Sequence, residues 1–232
     1  AGSLNDLTRS LEVSVALAGQ LITVAAALIA VGAPVLAGLL ARIDRRRLLA
    51  GALLWYAAGH LAGALMPAYG WLLPVRALGV VAAAVFTPQA AAAIAAVTPP
   101  AERGRAITFV FLGWSVASVV GMPLHSYIGE AFGWRWAFGL VAVLSVAGAW
   151  AVWRTLPDGI HPAPLTLQAW REVLTHPVLM AIVAVTALQS AGQFTLFAYF
   201  APWASTVLGA DGGQISLIFF WFGAFGLLAN VM

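Results

Sequence analysis

The sequence predicts an all-α integral membrane protein, with about seven helices crossing the bilayer. Of its 232 residues, 62% are hydrophobic and 8% charged, where a soluble domain carries about 25% charged residues; the mean hydropathy is +0.96. The apolar residues form unbroken Ala, Leu, Val and Gly runs of about the 20 residues that a helix needs to cross a bilayer. They lack the period-two alternation of a membrane β-strand.

The chain opens on polar "AGSLNDLTRSLEV". With no basic start and no small-residue cleavage site, this opening and the run after it do not form a signal peptide, and the chain does not begin like a complete membrane protein. Seven runs follow, at 13–40, 48–66, 71–97, 106–128, 136–153, 177–205 and 214–232. Short loops separate them, too short for a soluble catalytic domain, except for "RTLPDGIHPAPLTLQAWREVLTHP" at 154–177. Pro157, Gly159, Pro162 and Pro164 make its first half non-helical. In its second half Leu167, Trp170, Val173 and Leu174 share one helical face opposite Gln168, Arg171 and Glu172. This pattern suits a short helix on the membrane surface, or an ordinary solvated connector. The last run reaches Met232 without a polar flank, so the chain is expected to be part of a longer bundle.

Arginine placement sets the orientation. Arg42, Arg45, Arg46 and Arg47 follow the first run, Arg103 and Arg105 the third, and Arg154 and Arg171 the fifth; the alternate loops hold only Arg9 and Arg135. By the positive-inside rule, loops 41–47, 99–105 and 154–176 are cytoplasmic and the N-terminus lies outside. The same spread explains the basic balance without a nucleic-acid partner, because the charge forms no single patch. There is no cysteine, which removes disulfides and thiolate metal sites.

Five stretches, in order, carry a resemblance. "GLLARIDRRRLLAG" (38–51) is similar to the signature between helices two and three of the major facilitator superfamily, although Arg42 stands where the acidic residue is usual and Asp44 follows two places later. "LLPVRALG" (72–79) resembles the helix-four signature with its buried arginine. "PPAERGRA" (99–106) resembles the link between helices four and five. "GWSVASVVGMP" (113–123) resembles the helix-five signature of antiporters, with His125 intruding after it, and "GWRWAF" (133–138) the entry to helix six. The resemblance points to the drug and sugar proton-antiporter branch. It implies a twelve-helix transporter of which helices two to eight are visible: 1–154 is the N-terminal half-bundle lacking its first helix, 155–176 a cytoplasmic linker with an interfacial helix, and 177–232 the start of the second half. It further implies export across the inner membrane by a monomer whose partners are a proton, a small-molecule solute and the lipid bilayer, with no cofactor and no metal.

Several residues carry candidate chemistry. Arg76 is a full charge inside an apolar run, roughly 7 Å below the outer edge of its helix at 1.5 Å per residue. A cavity facing it explains that cost, and so does snorkelling; the resemblance associates the position with proton coupling. Gly113, Ala117, Gly121, His125 and Gly129 recur every four residues and admit a close neighbour. Pro123 frees a bend among them. The stripe is either tight packing or, by resemblance, an antiporter's outward-closing interface. His125 could carry a proton or be a hydrogen-bonded structural residue, whereas His60 reads as a packing residue. Gln189 and Gln193 share a helix face with Phe197 and Phe200, which suits a polar uncharged solute or helix-to-helix hydrogen bonds, and Gln89 is a similar case. Gly38, Arg42, Asp44 and Arg45 take a gating role by resemblance; by their charge they determine topology. No Asp or Glu falls inside a run, so the visible chain shows no carboxylate to carry a coupled proton.

Other classes are narrower. All eleven basic residues are arginine, so neither a retinal Schiff base nor a Walker A loop can form here. No zinc-peptidase or serine-hydrolase signature appears, and the chain reads as no enzyme. A ligand-sensing or channel-like membrane protein is the alternative to the transporter.

Overall fold

The computed structural model describes residues 4–161 and 166–231; Pro162 and Pro164, predicted to keep the linker non-helical, lie outside that range. Ten α-helices carry the described chain: α1 (Leu4–Ser10), α2 (Val15–Leu39), α3 (Arg45–Ala64), α4 (Tyr69–Val97), α5 (Arg103–Val116), α6 (Met122–Ala131), α7 (Trp134–Thr155), α8 (Leu167–Thr175), α9 (Pro177–Val207) and α10 (Gly212–Val231). A π-helical turn, Ala117–Gly121, joins α5 to α6 in one rod. No strand occurs among the described residues. The rods correspond to the seven predicted runs.

Five rods are long and apolar enough to cross a membrane: Val15–Leu39, Tyr69–Val97, Arg103–Ala131, Trp134–Thr155 and Pro177–Phe197. The other two fall short for identifiable reasons. α3 opens with Arg45, Arg46 and Arg47 and carries His60, and it packs against both α4 and α7, so less of it needs to match lipid. The apolar stretch described in α10 is Gly212–Gly226.

The helix ends are set by local chemistry. Ser14 caps α2 by accepting from Leu17 N at 3.1 Å, and Thr166 caps α8 by accepting from Ala169 N at 3.1 Å. Asp211 and Gln214 form a reciprocal capping box on α10: Gln214 N donates to Asp211 Oδ1 at 2.8 Å and Asp211 N donates to Gln214 Oε1 at 3.0 Å. Each such cap satisfies backbone donors that a helix start leaves open. The reversal from α6 to α7 turns on Gly133, whose φ of 98° is a region that side chains disfavour. Asp6 of α1 then accepts from Trp134 N at 2.8 Å, and Ser10 Oγ accepts from Trp134 Nε1 at 2.6 Å. This seats α1 on the outer end of the bundle, where Leu7, Ala18, Leu21, Leu72, Trp134 and Phe138 form one buried cluster.

The α3–α4 crossing is the closest contact in the first half. A Cβ on Gly59 would stand 2.8 Å from Gly79 Cα, so the two backbones touch, and Trp55 Nε1 donates to Leu78 O across the pair at 2.9 Å. In lipid, small residues and inter-helix hydrogen bonds hold rods together because burial from water is not available to do so. The outward face is correspondingly apolar: Leu39 is 72% exposed, Phe109 73% and Leu188 75%, a surface suited to acyl chains.

Candidate functional site: an arginine–histidine pair and a carboxylate clasp

The α3–α4 contact brings two polar side chains together below the outer end. Arg76 Nη1 lies 2.8 Å from His60 Nε2, and the guanidinium sits over the Phe138 ring of α7 at 5.0 Å from its centroid. His60 is 5% exposed. Its Nδ1 is 2.9 Å from Tyr56 O, and its ring meets Tyr56 at 4.2 Å and Phe138 at 5.4 Å between centroids. The charge is therefore turned toward α3 and α7, with a hydrogen-bond partner in His60 and an aromatic face in Phe138.

His125 of α6 is partly buried and near enough to interact electrostatically with both His60 and Arg76. Gln89, further along α4, is 5% exposed. Gln189 and Gln193 are exposed on α9 and approach each other at 3.5 Å. Phe197 and Phe200, by contrast, turn inward onto Phe219 of α10 at 5.4 Å and 5.7 Å. The amides and the rings thus do not line one surface.

The inner end holds a second constellation. Asp44 is 8% exposed. Its Oδ1 caps α3 by accepting from Arg47 N at 3.2 Å, while its Oδ2 accepts from Gly159 N at 2.8 Å and Ile160 N at 3.0 Å. Arg45 N donates back to Ile160 O at 3.1 Å, so the segment after α7 is clasped to the start of α3. The Arg45 guanidinium, 2% exposed, donates to Leu40 O at 3.1 Å and Ile43 O at 2.8 Å. A cation there suits the carbonyl-rich end of α2. Arg42 is exposed, and Gly38 is exposed with open space around it.

Burial by itself would push the Asp44 carboxyl up. The N–H groups of Arg47, Gly159, Ile160 and Arg46 outweigh it and hold the group below the usual carboxylate range. A depressed carboxylate contributes stability above its unfolded value, about 3.9, and loses it as pH falls through the lower folded value. The clasp is thus fully formed at neutral pH. Replacing Asp44 by alanine removes the cap and the acceptor of both linker amides, a loss of about 2 kcal/mol. Hydrogen exchange at Gly159 and Ile160 is expected to accelerate by about thirtyfold if the clasp sets their protection.

At mid-depth the second part of the chain meets the first. A Cβ on Gly223 of α10 would fall 2.5 Å from Val119 N and 2.6 Å from Val119 Cα. The π turn thus lies directly against α10. Pro123 has no N–H to complete the helix there, and a π turn absorbs such an interruption. Gly113 faces open space and Gly121 sees only Ala117 within 4 Å, so the glycine that permits the closest approach is Gly223. Nearer the outer end, the Tyr199 hydroxyl of α9 rests on Gly19 of α2, and the Glu130 carboxylate of α6 rests on Gly212 at the start of α10. Asp6, Arg9, Ser126, Glu130, Ser205 and Asp211 border a cavity of about 420 Å³ there.

The sequence reading missed His60 as a partner of Arg76, and it missed Gly159 and Ile160 as partners of Asp44. A signal for the first existed. The short 65–68 connection makes α3 and α4 an antiparallel pair, so polar residues within a few turns on either side come level. No comparable signal marks the second pairing, across 115 residues.

A family description, Major Facilitator Superfamily, matches residues 1–232. The chain belongs to the major facilitator superfamily. Among relatives within it, a chloramphenicol resistance protein of Streptomyces lividans is 34% identical, over 100% of this chain and 60% of its own length. The uncharacterized MFS-type transporter YbcL of Bacillus subtilis (strain 168) is 30% identical over 99% of this chain and 59% of its own. A probable sugar efflux transporter of Helicobacter pylori (strain G27) is 28% identical over 99% and 59%. The chain therefore spans about three-fifths of the length of these curated relatives. A crystal structure of a peptide transporter, POT, in complex with alafosfalin superimposes with a TM-score of 0.58 and 21% identity, covering 81% of this chain and 42% of that one; it shares the fold. The names of these relatives are those of transport and resistance proteins.

Proposed function

We propose that the chain forms the larger part of a secondary active transporter that exports a small or amphipathic solute across the cytoplasmic membrane, driven by protons moving inward. In this reading 1–154 is the N-terminal half-bundle lacking its first helix, 155–176 the cytoplasmic linker with its interfacial helix, and 177–232 the start of the second half. The halves rock about a central site. Arg76 is the coupling charge, His125 a second proton-handling group, and Gln89, Gln189 and Gln193 contact solute. Gly38, Arg42, Asp44 and Arg45 govern the inner end, while Gly113, Gly121 and Pro123 give the α5–α6 rod its bend.

The observation that carries this reading is Arg76 itself. A guanidinium within the apolar length of α4 is turned toward α3 and α7 and paired with a titratable imidazole at 2.8 Å. An intramembrane charge costs about 2.5–3.5 kcal/mol at mid-depth on insertion scales, and structural support alone could be had from an apolar side chain. The efflux and resistance names of the relatives support the direction of transport.

The test uses the full-length protein in everted vesicles, with chloramphenicol and a panel of monosaccharides as probes. At least one probe is expected to accumulate inside energised vesicles and to leak out once a protonophore collapses the gradient. Accumulation equal to that of vesicles without the protein, for every probe, contradicts the reading, as does accumulation that survives the protonophore.

A further inference from the structure

The hydrogen bonds around His60 determine its protonation state. Tyr56 O can only accept, so His60 Nδ1, 2.9 Å away, bears the ring proton. The Arg76 guanidinium can only donate, so Nε2, 2.8 Å away, offers its lone pair. Both nitrogens are thus committed, and the imidazole that Arg76 rests on is the neutral Nδ1–H tautomer. A second proton could attach only at Nε2. It would replace the acceptor by a donor, leaving two N–H groups and two positive charges facing each other at hydrogen-bond distance. Protonation of His60 and the Arg76–His60 contact therefore exclude one another.

Few other groups face the pair. Tyr56 meets the His60 ring from α3, Arg76 is the charge from α4, Phe138 is the non-titrating face from α7, and His125 is the other titratable group, facing from α6. Gly59 and Gly79 hold the α3 and α4 backbones in contact close by, so relief comes from the long Arg76 side chain swinging away rather than from the helices parting.

We propose that His60 is a proton-operated latch for Arg76: neutral, it docks the guanidinium against Phe138; protonated, it releases it into the bundle. This rests on the proton-coupled reading above and names the group in the visible chain that senses the proton.

The test is a pH titration of the full-length protein in lipid nanodiscs, labelled with ¹⁵N at histidine and arginine. The His60 resonances are identified by their disappearance in His60→Gln. In the parent at alkaline pH, His60 is expected to show the widely split ring nitrogens of a neutral Nδ1–H imidazole. On acidification these converge to the imidazolium pattern, and the Arg76 side-chain resonances shift in the same transition. In His60→Gln, which keeps an acceptor for Arg76 but cannot titrate, the Arg76 shift is lost. An Nε2–H tautomer overturns the proposal, as do Arg76 resonances that stay fixed while His60 protonates, or that shift unchanged in His60→Gln. This measurement needs no transported solute. Failure of every probe in the vesicle assay would count against the transporter reading, whereas the titration decides the latch.

Discussion

Replacing Arg76 by alanine is expected, on the proposed reading, to lower proton-driven export by about a hundredfold or more, the scale of losing a side chain that positions a transferred proton. The fold survives the change, and the magnitudes say why. Removing the guanidinium leaves His60 Nε2 short of a donor, about 1–3 kcal/mol for a buried polar group. It also removes a membrane-embedded charge worth about 2.5–3.5 kcal/mol of unfavourable transfer. The two nearly cancel, so thermal unfolding of Arg76→Ala stays close to that of the parent while flux is lost. Arg76→Lys keeps the charge but not the planar fork that reaches His60 while lying over Phe138, and the exchange is not conservative at a stacked site. It recovers only part of the rate. The check is flux normalised to folded protein for all three forms.

The second large effect is at Gly223. Any side chain there meets Val119 N and Cα at 2.5 Å and 2.6 Å and Ser118 C at 2.7 Å. These are backbone atoms, which cannot rotate aside. Gly223→Ala therefore pushes α10 off the π turn, an overpacking cost of about 1–3 kcal/mol, and Gly223→Leu exceeds it. Gly113→Ala is the control, because open space surrounds Gly113; it leaves thermal stability within about 0.5 kcal/mol of the parent. Unfolding temperatures of the three variants in one detergent decide the point. Equal destabilisation at 113 and 223 would mean that α10 does not seat where the structure puts it.

The rods were legible because a chain in lipid has to satisfy its backbone within each segment, and unbroken apolar runs leave only the helix. Tertiary context explains why one of them lacks the apolar length of the others. α3 opens on Arg45, Arg46 and Arg47, of which Arg45 is buried and Arg47 exposed, and carries the buried His60, so apolar length alone does not register it as a span. The polar pairs were harder to read. Arg76 stood out as a charge out of place, but His60 gained its role only from the register that the Gly59–Gly79 contact imposes. Asp44 was visible as an acid before a helix, yet its hold on Gly159 and Ile160 depends on where α7 ends. In the α5–α6 rod Pro123 announced an interruption, but the π turn and its contact with Gly223 needed the packed neighbour. Gln189 and Gln193 shared a helical face with Phe197 and Phe200 in the sequence, but the rings pack onto α10 and the amides do not.

The most direct test of the central claim is the proton movement that accompanies solute. Proteoliposomes holding the complete protein and a pH-sensitive dye are given a gradient of whichever probe the vesicle assay shows to be exported, with no imposed pH difference. The account predicts a proton flux opposite to the probe that starts with the gradient and is absent in Arg76→Ala. Solute movement with no accompanying proton flux, or an undiminished proton flux in Arg76→Ala, would contradict it.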